Sequence, residues 1–358
     1  MADYYEIDFL DVETQKSGDA ISIRYEIAGQ TYIHVVDGGY VDTGEKLATH
    51  INTHYGSPKK IDHVVVTHND HDHAGGLRYI LENYEIGRLW ILRPWLYAGE
   101  IINRFQRFSN VENLAKELKE NFSNLAALEE IAVAKGIPMS EPFQGAQIGA
   151  FTALAPTKAR FLDLVVESEK TPAAKSPLDT LVEGILAIAK ATVKLVTEGW
   201  GYEKFSSEPT SAENRMSVIQ YALLNGRKIL LTGDASVDGL QEAAAFAPLV
   251  GLFLPGIDRF QVPHHGSRRN LSTEICDTWL GARLGSQPVA GSETFHAFIS
   301  SAKEDEDHPR KAVIRAMMHR GGKVYTTEGR SLHSFSSAAP SRGWGPATSE
   351  LYPDEIEE

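Results

Sequence analysis

Six consecutive residues concentrate the chemistry of this chain: His68-Asn69-Asp70-His71-Asp72-His73. Imidazoles and carboxylates packed this densely form a donor set for a divalent cation, and mixed nitrogen and oxygen ligands suit Zn²⁺, Mn²⁺ or Fe. The run follows a β-branched stretch, Val64-Val65-Val66, and precedes Gly75-Gly76. A polar surface turn would stand alone, yet acidic or histidine residues follow apolar runs at three further places: Asp37, Asp234 and His264-His265. Several strands delivering ligands to one sheet edge would produce that recurrence. The only cysteine, Cys276, excludes an intrachain disulfide and a cysteine-rich zinc site. One or two divalent ions, Zn or Mn, held by imidazole and carboxylate, are therefore expected.

The elements that must position these residues are legible in part. Residues 5–9 alternate as a strand, and 20–26 with 31–36 read as a hairpin turning at Gly29-Gln30. Residues 62–66 form a strand running into the ligand cluster, and a helix is expected near 77–84. From 100 to 135, Leu114, Leu118, Phe122, Leu125 and Leu128 recur at helical spacing. Leu181, Ile185, Ile188 and Val193 predict a second helical stretch over 178–197, with Thr171-Pro172, Ser176-Pro177 and Glu208-Pro209 breaking the chain around it. Residues 95–210 thus read as a mostly helical insertion that covers the sheet or supplies a lid. Strands return at 216–224 and 228–232 across an Asn225-Gly226 turn, and again at 258–262. A helix over 310–320 and a last strand at 323–326 follow. One domain over 1–336 and a loose acidic tail over 337–358 are expected, with no internal repeat.

Bulk properties narrow the classes. A chain of 358 residues can bury a large core, and 42% hydrophobic with 23% charged residues is ordinary for a globular enzyme. No stretch approaches the ~20 apolar residues of a membrane span. The opening Met-Ala-Asp-Tyr-Tyr-Glu has no basic patch before an apolar core, so a cytoplasmic protein is expected. A net charge of −13 opposes unspecific binding to duplex DNA but leaves a phosphodiesterase open, because bound cations cancel charge locally. Nothing in the pattern sets an oligomeric state.

The cluster resembles the His-x-His-x-Asp-His motif of metallo-β-lactamase-fold hydrolases, with Asp70 at the second histidine position. The resulting His-x-Asp-x-Asp-His resembles the soluble domain of the DNA-uptake competence protein ComEC and its stand-alone relatives. Further matches occur in order. They are Phe9-Leu10-Asp11-Val12 with Gly18-Asp19-Ala20, Asp37-Gly38-Gly39, Asn214 with Ser217, Leu230-Leu231-Thr232-Gly233-Asp234, His264-His265-Gly266-Ser267 and His308-Pro309. The likeness spans about 5–90 and 211–333. It implies an α/β fold, the αββα sandwich of that group, carrying the helical insertion.

The resemblance also implies roles. His68 and Asp70 would hold one ion; Asp72 and His73, with one of His264 or His265, would hold a second; Asp234 would bridge the two. Asp37 would orient a ligand histidine. Asn214 stands where most of the superfamily has a histidine, so the first site should be harder and weaker, which favours Mn²⁺ or Mg²⁺ and allows occupancy by a single metal. His308, in an acidic loop, would meet the substrate's phosphate or leaving oxygen as a general acid. Such a site activates water, bringing its pKa to about 7, and paired metals clamp both oxygens of a phosphodiester. Ser267 and Arg268 would hold phosphate oxygens, or Arg268-Arg269 would be a solvated loop.

The substrate class expected is a phosphodiester, in nucleic acid or a nucleotide. A lactone or thioester hydrolase on the same fold, or a non-catalytic metal-binding protein, are the competing readings. His34 and His63 are expected to be structural, His319 to lie on a solvated helix face beside Arg315 and Arg320, and Cys276 to be buried. Trp90, Trp95 and Trp200 are expected to pack in the core.

Overall fold

A computed structural model describes residues 4–12, 15–168 and 195–357. The first sheet has the order β15-β1-β2-β3-β4-β5-β6, from β1 (Tyr5–Phe9), β2 (Ala20–Ile27), β3 (Gln30–Gly38), β4 (Lys60–Val65), β5 (Glu85–Trp90), β6 (Met139–Ser140) and β15 (Leu332–Phe335). The second runs β14-β13-β12-β11-β10-β8-β7, from β7 (Gln147–Ile148), β8 (Phe151–Ala155), β10 (Ile219–Leu224), β11 (Arg227–Leu231), β12 (Arg259–Gln261), β13 (Phe295–Ile299) and β14 (Gly322–Thr326). A small third sheet pairs β9 (Leu195–Thr197) with β16 (Glu355–Glu357), antiparallel.

The two large sheets pack face to face. Phe9 stacks on Phe298 at 4.7 Å, and His34 meets Phe151 edge-on at 4.9 Å. Outside the first sheet, the helices Thr43–His54, Leu77–Asn83 and Ser123–Lys135 bury Leu47, Ile51, Leu77, Ile80, Leu125 and Leu128. Outside the second, the helices Val237–Phe246, Thr273–Leu280 and Lys311–His319 bury Leu240, Ile275, Trp279, Val313 and Met317. This is the four-layer α/β sandwich expected from the sequence. Strands buried on both faces become continuous apolar runs. In β11, Ile229 and Leu231 join the core between the sheets, whereas Leu230 joins the core under the helices.

Both hairpin turns use the left-handed backbone that tight turns require. Ala28 and Gly29 have φ of 53° and 79°, and Asn225 and Gly226 have 48° and 73°. The first turn thus falls one residue before the expected Gly29-Gln30.

Three expectations change. The segment 95–210 is not only helical, because β6 extends the first sheet and β7 and β8 extend the second. Its helices Val111–Asn121 and Ser123–Lys135 do lie where the spacing placed them, and the Asn124 amide donates to the Asn69 carbonyl at 2.8 Å, steadying the run 68–73. The helix expected over 178–197 falls mostly outside the described residues; its end, Leu195–Thr197, is a strand. The residues after 336 are anchored rather than loose. The Arg342 guanidinium donates to both oxygens of buried Asp8 at 2.8 and 2.9 Å, and Ile356 is fully buried in β16. Composition rich in Ser, Pro and Gly hid these anchors, since each depends on a partner far away in sequence. Among the described residues no helix is long and apolar enough to cross a membrane.

Candidate metal centre

Four strand ends meet at one edge of the sandwich. Strand β3 carries Asp37 one residue before its end, β4 runs into Thr67 and His68, β11 turns through Gly233 into Asp234, and β12 leads to His264 and His265. The short helix His71–Ala74 presents Asp72 and His73. Its position requires glycine: a Cβ on Gly76 would lie 2.1 Å from the Gly38 carbonyl oxygen.

Asp234 is buried at the centre, and its two oxygens face different partners. Oδ1 lies 3.2 Å from His73 Nε2 and 3.9 Å from His265 Nε2. Oδ2 lies 3.6 Å from His264 Nε2 and 3.9 Å from His68 Nε2. Asp72 Oδ2 closes the first group, at 3.8 Å from His73 Nε2 and 3.5 Å from His265 Nε2. Asp70 Oδ2 is 3.7 Å from His68 Nε2. His264 and His265 are consecutive non-glycine residues at φ of 49° and 54°. Such backbone costs of order 1–3 kcal/mol per residue, and it tends to persist where function holds it. Here it splays the two rings to an interplanar angle of 67°.

Hydrogen bonds fix which ring nitrogen carries a proton. Thr67 Oγ1 gives its only hydrogen to Asp37 Oδ2 at 2.6 Å, so it accepts from His68 Nδ1 at 3.0 Å. His73 Nδ1 donates to Asp37 Oδ2 at 2.8 Å, and His265 Nδ1 donates to the Ser300 carbonyl at 2.8 Å. The Asn270 Nδ2 group donates to the carbonyls of Asp234 and Ala235, leaving Oδ1 to accept from His264 Nδ1 at 2.8 Å. Each ring therefore turns Nε2 towards carboxylate oxygens. Those of His68, His73 and His265 are buried without a hydrogen-bond partner, as is Asp234 Oδ1.

Lone pairs facing carboxylates repel unless a cation lies between them, or each nitrogen takes up a proton. The residues therefore fit a divalent metal, and histidine ligands oriented through their other nitrogen are the usual arrangement. Without a cation, protons take its place. Burial disfavours charged His265, but the Asp234 charge and the Asp72 carboxylate 3.5 Å away outweigh it, pushing His265 up to about 9. His73 is likewise raised well above its ordinary value, against burial, by Asp234, Asp72 and Asp37. Asp234 is held far below the carboxylate range: burial would raise it, but His73, His264 and His265 prevail.

The remaining sequence candidates are placed as follows. Asn214 lies beside His264: its Oδ1 accepts from the Ser211 hydroxyl at 3.0 Å, and its Nδ2 donates to Thr210 and lies 3.3 Å from the ring nitrogens of His264. His308 is brought to the centre, with its ring 5.4 Å from that of His264 and 6.0 Å from that of His265. Ser267 is buried, and its Oγ accepts from the Arg269 backbone N–H. The Arg268 guanidinium donates to the Glu357 carbonyl of β16, and Arg269 pairs with Glu208 at 2.7 Å. The expected phosphate fork of Arg268 is thus partly engaged by a tail thought to be loose.

One residue reached the centre without having been assigned a role. Asp19 is buried within ligand range of Asp234 and His265, and of Asp37 and His73. Gln261 holds it: Oε1 takes the backbone N–H groups of Thr232 and Gly233, so Nε2 donates to Asp19 Oδ2 at 2.9 Å. Burial raises the Asp19 carboxyl above its ordinary value. The Gly-Asp-Ala run was its only sequence signal.

Residues 25–107 match the family model described as the Metallo-beta-lactamase superfamily, a superfamily of metal-dependent hydrolases. No curated protein matches the chain. Among solved structures, the chain is similar to one described as a hydrolase, AbOPH, in the beta lactamase superfamily. The two share 9% identity over 60% of this chain, with a TM-score of 0.30. The match spans about half, 56%, of that protein's length. With two helix-flanked sheets, histidines and carboxylates gathered at one strand edge and the family match over 25–107, the chain has the metallo-beta-lactamase fold.

Proposed function

We propose that this chain is a metal-dependent phosphodiesterase acting on nucleic acid or a nucleotide, and that the residues around Asp234 would hold two divalent ions, Zn or Mn. The observation that carries the reading is the set of Nε2 atoms turned towards the two oxygens of one buried carboxylate. Asp72, His73 and His265 would share one ion with Asp234 Oδ1; His68 and Asp70 would lie at the other. When bound, the ions make hydroxide available at neutral pH and stabilise both oxygens of an in-line displacement. Asp37 keeps His73 in the tautomer that leaves Nε2 free. The resemblance of His68-x-Asp70-x-Asp72-His73 to ComEC-type domains supports a phosphodiester over a lactone or thioester.

His308 would supply the proton. Asp305 Oδ2 lies 3.4 Å from His308 Nδ1, and it also accepts the backbone N–H and hydroxyl of Ser17 at 3.0 and 2.7 Å. Burial would raise Asp305, but the His308 and Ser17 hydrogen bonds hold it below the usual carboxylate range. A charged Asp305 orients His308, which then gives a proton to the leaving oxygen. Ser267 and Arg268 would border the phosphate.

The experiment is a screen of bis(p-nitrophenyl) phosphate, a lactone and a thioester, with Mn²⁺ or Zn²⁺ added. Turnover of the phosphodiester alone supports the reading; turnover only of the lactone or thioester, or of nothing, overturns it. His308→Ala should lower turnover by roughly 10²–10⁴-fold on a substrate with a poor leaving group, the usual worth of a positioned proton donor. Metal content should not change. Loss of metal, or wild-type turnover on that substrate, would rule out the assigned role.

A further inference from the structure

We infer that Glu357, in the C-terminal strand β16, is a positioning residue that sets His308 for proton transfer by capping the helix Lys311–His319 from another part of the chain. This rests on the proton-donor role given to His308 above.

The helix has no cap of its own. Its first backbone N–H groups have no acceptor within the helix, and a side chain at the preceding position usually supplies one. That position is Arg310, whose guanidinium only donates and which makes no capping hydrogen bond. Glu357 fills the role from 46 residues further along the chain. Its Oε1 accepts from the Lys311 N–H at 2.8 Å, and its Oε2 accepts from the Ala312 N–H at 3.4 Å. A carboxylate there also meets the positive end of the helix dipole. Glu357 is itself buried, so its oxygens depend on such donors.

Strand β16 puts it in place. Glu357 lies opposite Leu195 of β9, and its neighbour Ile356 is fully buried. Arg315, one turn further along the helix, is fully buried and donates to the Pro353 carbonyl at 3.0 Å. The C-terminal segment thus grips the helix at its first turn and again at the next.

From Lys311 the constraint passes back to His308 through two residues. The Arg310 N–H donates to the Gly266 carbonyl at 3.1 Å. Pro309 packs so tightly on Gly266 that a Cβ at 266 would fall 2.8 Å from that of Pro309. Glu357 holds the far side of this contact too, since its carbonyl accepts from Arg268 at 3.2 Å. One buried residue therefore ties the turn that carries His264 and His265 to the helix behind His308. Asp305 steadies His308 from the other direction, 3.4 Å from Nδ1. Removing the Glu357 carboxylate leaves the Lys311 and Ala312 N–H groups to water, loosens the first turn and lets His308 shift with it.

The test uses the full chain and two phosphodiesters, with Mn²⁺ added. Bis(p-nitrophenyl) phosphate releases a phenolate that needs no proton, whereas a dinucleotide of two thymidines releases a sugar alkoxide that does. Glu357→Ala should lower kcat on the dinucleotide by up to about 100-fold, the scale of a misplacement by an ångström, with little change in KM. The loss on bis(p-nitrophenyl) phosphate should be much smaller, and metal content should match wild type. Glu357→Gln keeps an acceptor oxygen for Lys311, so it should recover most of the loss; it also serves if the alanine variant folds poorly. In a His308→Ala background, Glu357→Ala should cost almost nothing further, because residues that act through one another are not additive. Amide hydrogen exchange that quickens only around Lys311 and Ala312 would report that the rest of the fold is intact. Equal losses on the two substrates, or additive losses in the double variant, would overturn the positioning role and leave the phosphodiesterase reading standing. Wild type that hydrolyses neither diester would overturn both.

Discussion

Asp234→Ala is expected to eliminate both bound ions and to lower hydrolysis by more than about 10³-fold, beyond the 10–100-fold worth of an outer hydrogen-bond partner. Its two oxygens face different pairs of imidazoles, so no single neighbour can replace it. Asp72→Ala touches only the His73 and His265 side and should spare the ion next to His68. The metal-free chain adds a pH signature. There the charge of Asp234 holds a proton on His265, whose folded value of about 9 exceeds the unfolded value of about 6.5. That contribution to stability is complete below about 6.5 and is lost as pH rises through about 9. An incoming cation must displace the proton, so metal affinity should increase with pH across this window. Calorimetry in two buffers of different ionisation enthalpy would count the protons released. Metal content near wild type in Asp234→Ala, or binding independent of pH between 6.5 and 9, would remove Asp234 from the centre of the site.

How much of this was legible in the sequence depended on whether a residue's role was local. The candidate run 68–73 stands out because strand, donor cluster and Gly-Gly are adjacent. Asp37, Asp234 and the histidine pair were visible for the same reason, each at the end of an apolar strand. Which histidine serves which oxygen was not, because it is decided by two positive φ angles and by Asn270, six residues on from His264. Asp19 was not singled out because its place rests on Gln261, a partner 242 residues away. Strand β8 hid in a helical region because both faces of Phe151–Ala155 are buried, which erases alternation. His34 is fully buried between the sheets and Cys276 beneath the helices, as their apolar settings implied. His319 went wrong for the opposite reason. Flanking arginines suggested solvent, but Arg315, His319 and Arg320 are all buried against residues of the segments 198–203 and 352–354.

That misread cluster carries the largest stability effect expected away from the metal centre. His319 Nε2 accepts the Gly201 N–H at 3.1 Å and the Tyr352 hydroxyl at 3.0 Å, so its Nδ1–H donates to Glu203 at 3.1 Å. Glu203 also pairs with Arg320, and both side chains are almost wholly buried. Asp277, half exposed, gives Arg320 a second partner at 2.7 Å. Together they lock the chain around residue 203 onto the helix Lys311–His319, which starts just after His308 and Pro309. Glu203→Ala leaves a buried guanidinium with one half-exposed carboxylate partner, besides the Ala316 and Thr273 carbonyls, and an imidazole N–H with none. The expected cost is about 3–5 kcal/mol, the usual penalty for breaking a buried ion pair from one side. The pH dependence has a definite sign. Burial would raise Glu203, but the hydrogen bonds from His319 and Arg320 lower it to about 2, below the unfolded value of 4.5. Its contribution is therefore complete above about 4.5 and fades as pH falls towards 2. Denaturant unfolding of metal-stripped wild type and variant should show the full difference at pH 7 and a shrinking one from pH 4.5 downwards. A difference below about 1 kcal/mol at pH 7 would mean that Asp277 alone satisfies Arg320 and that Glu203 does not hold this face together.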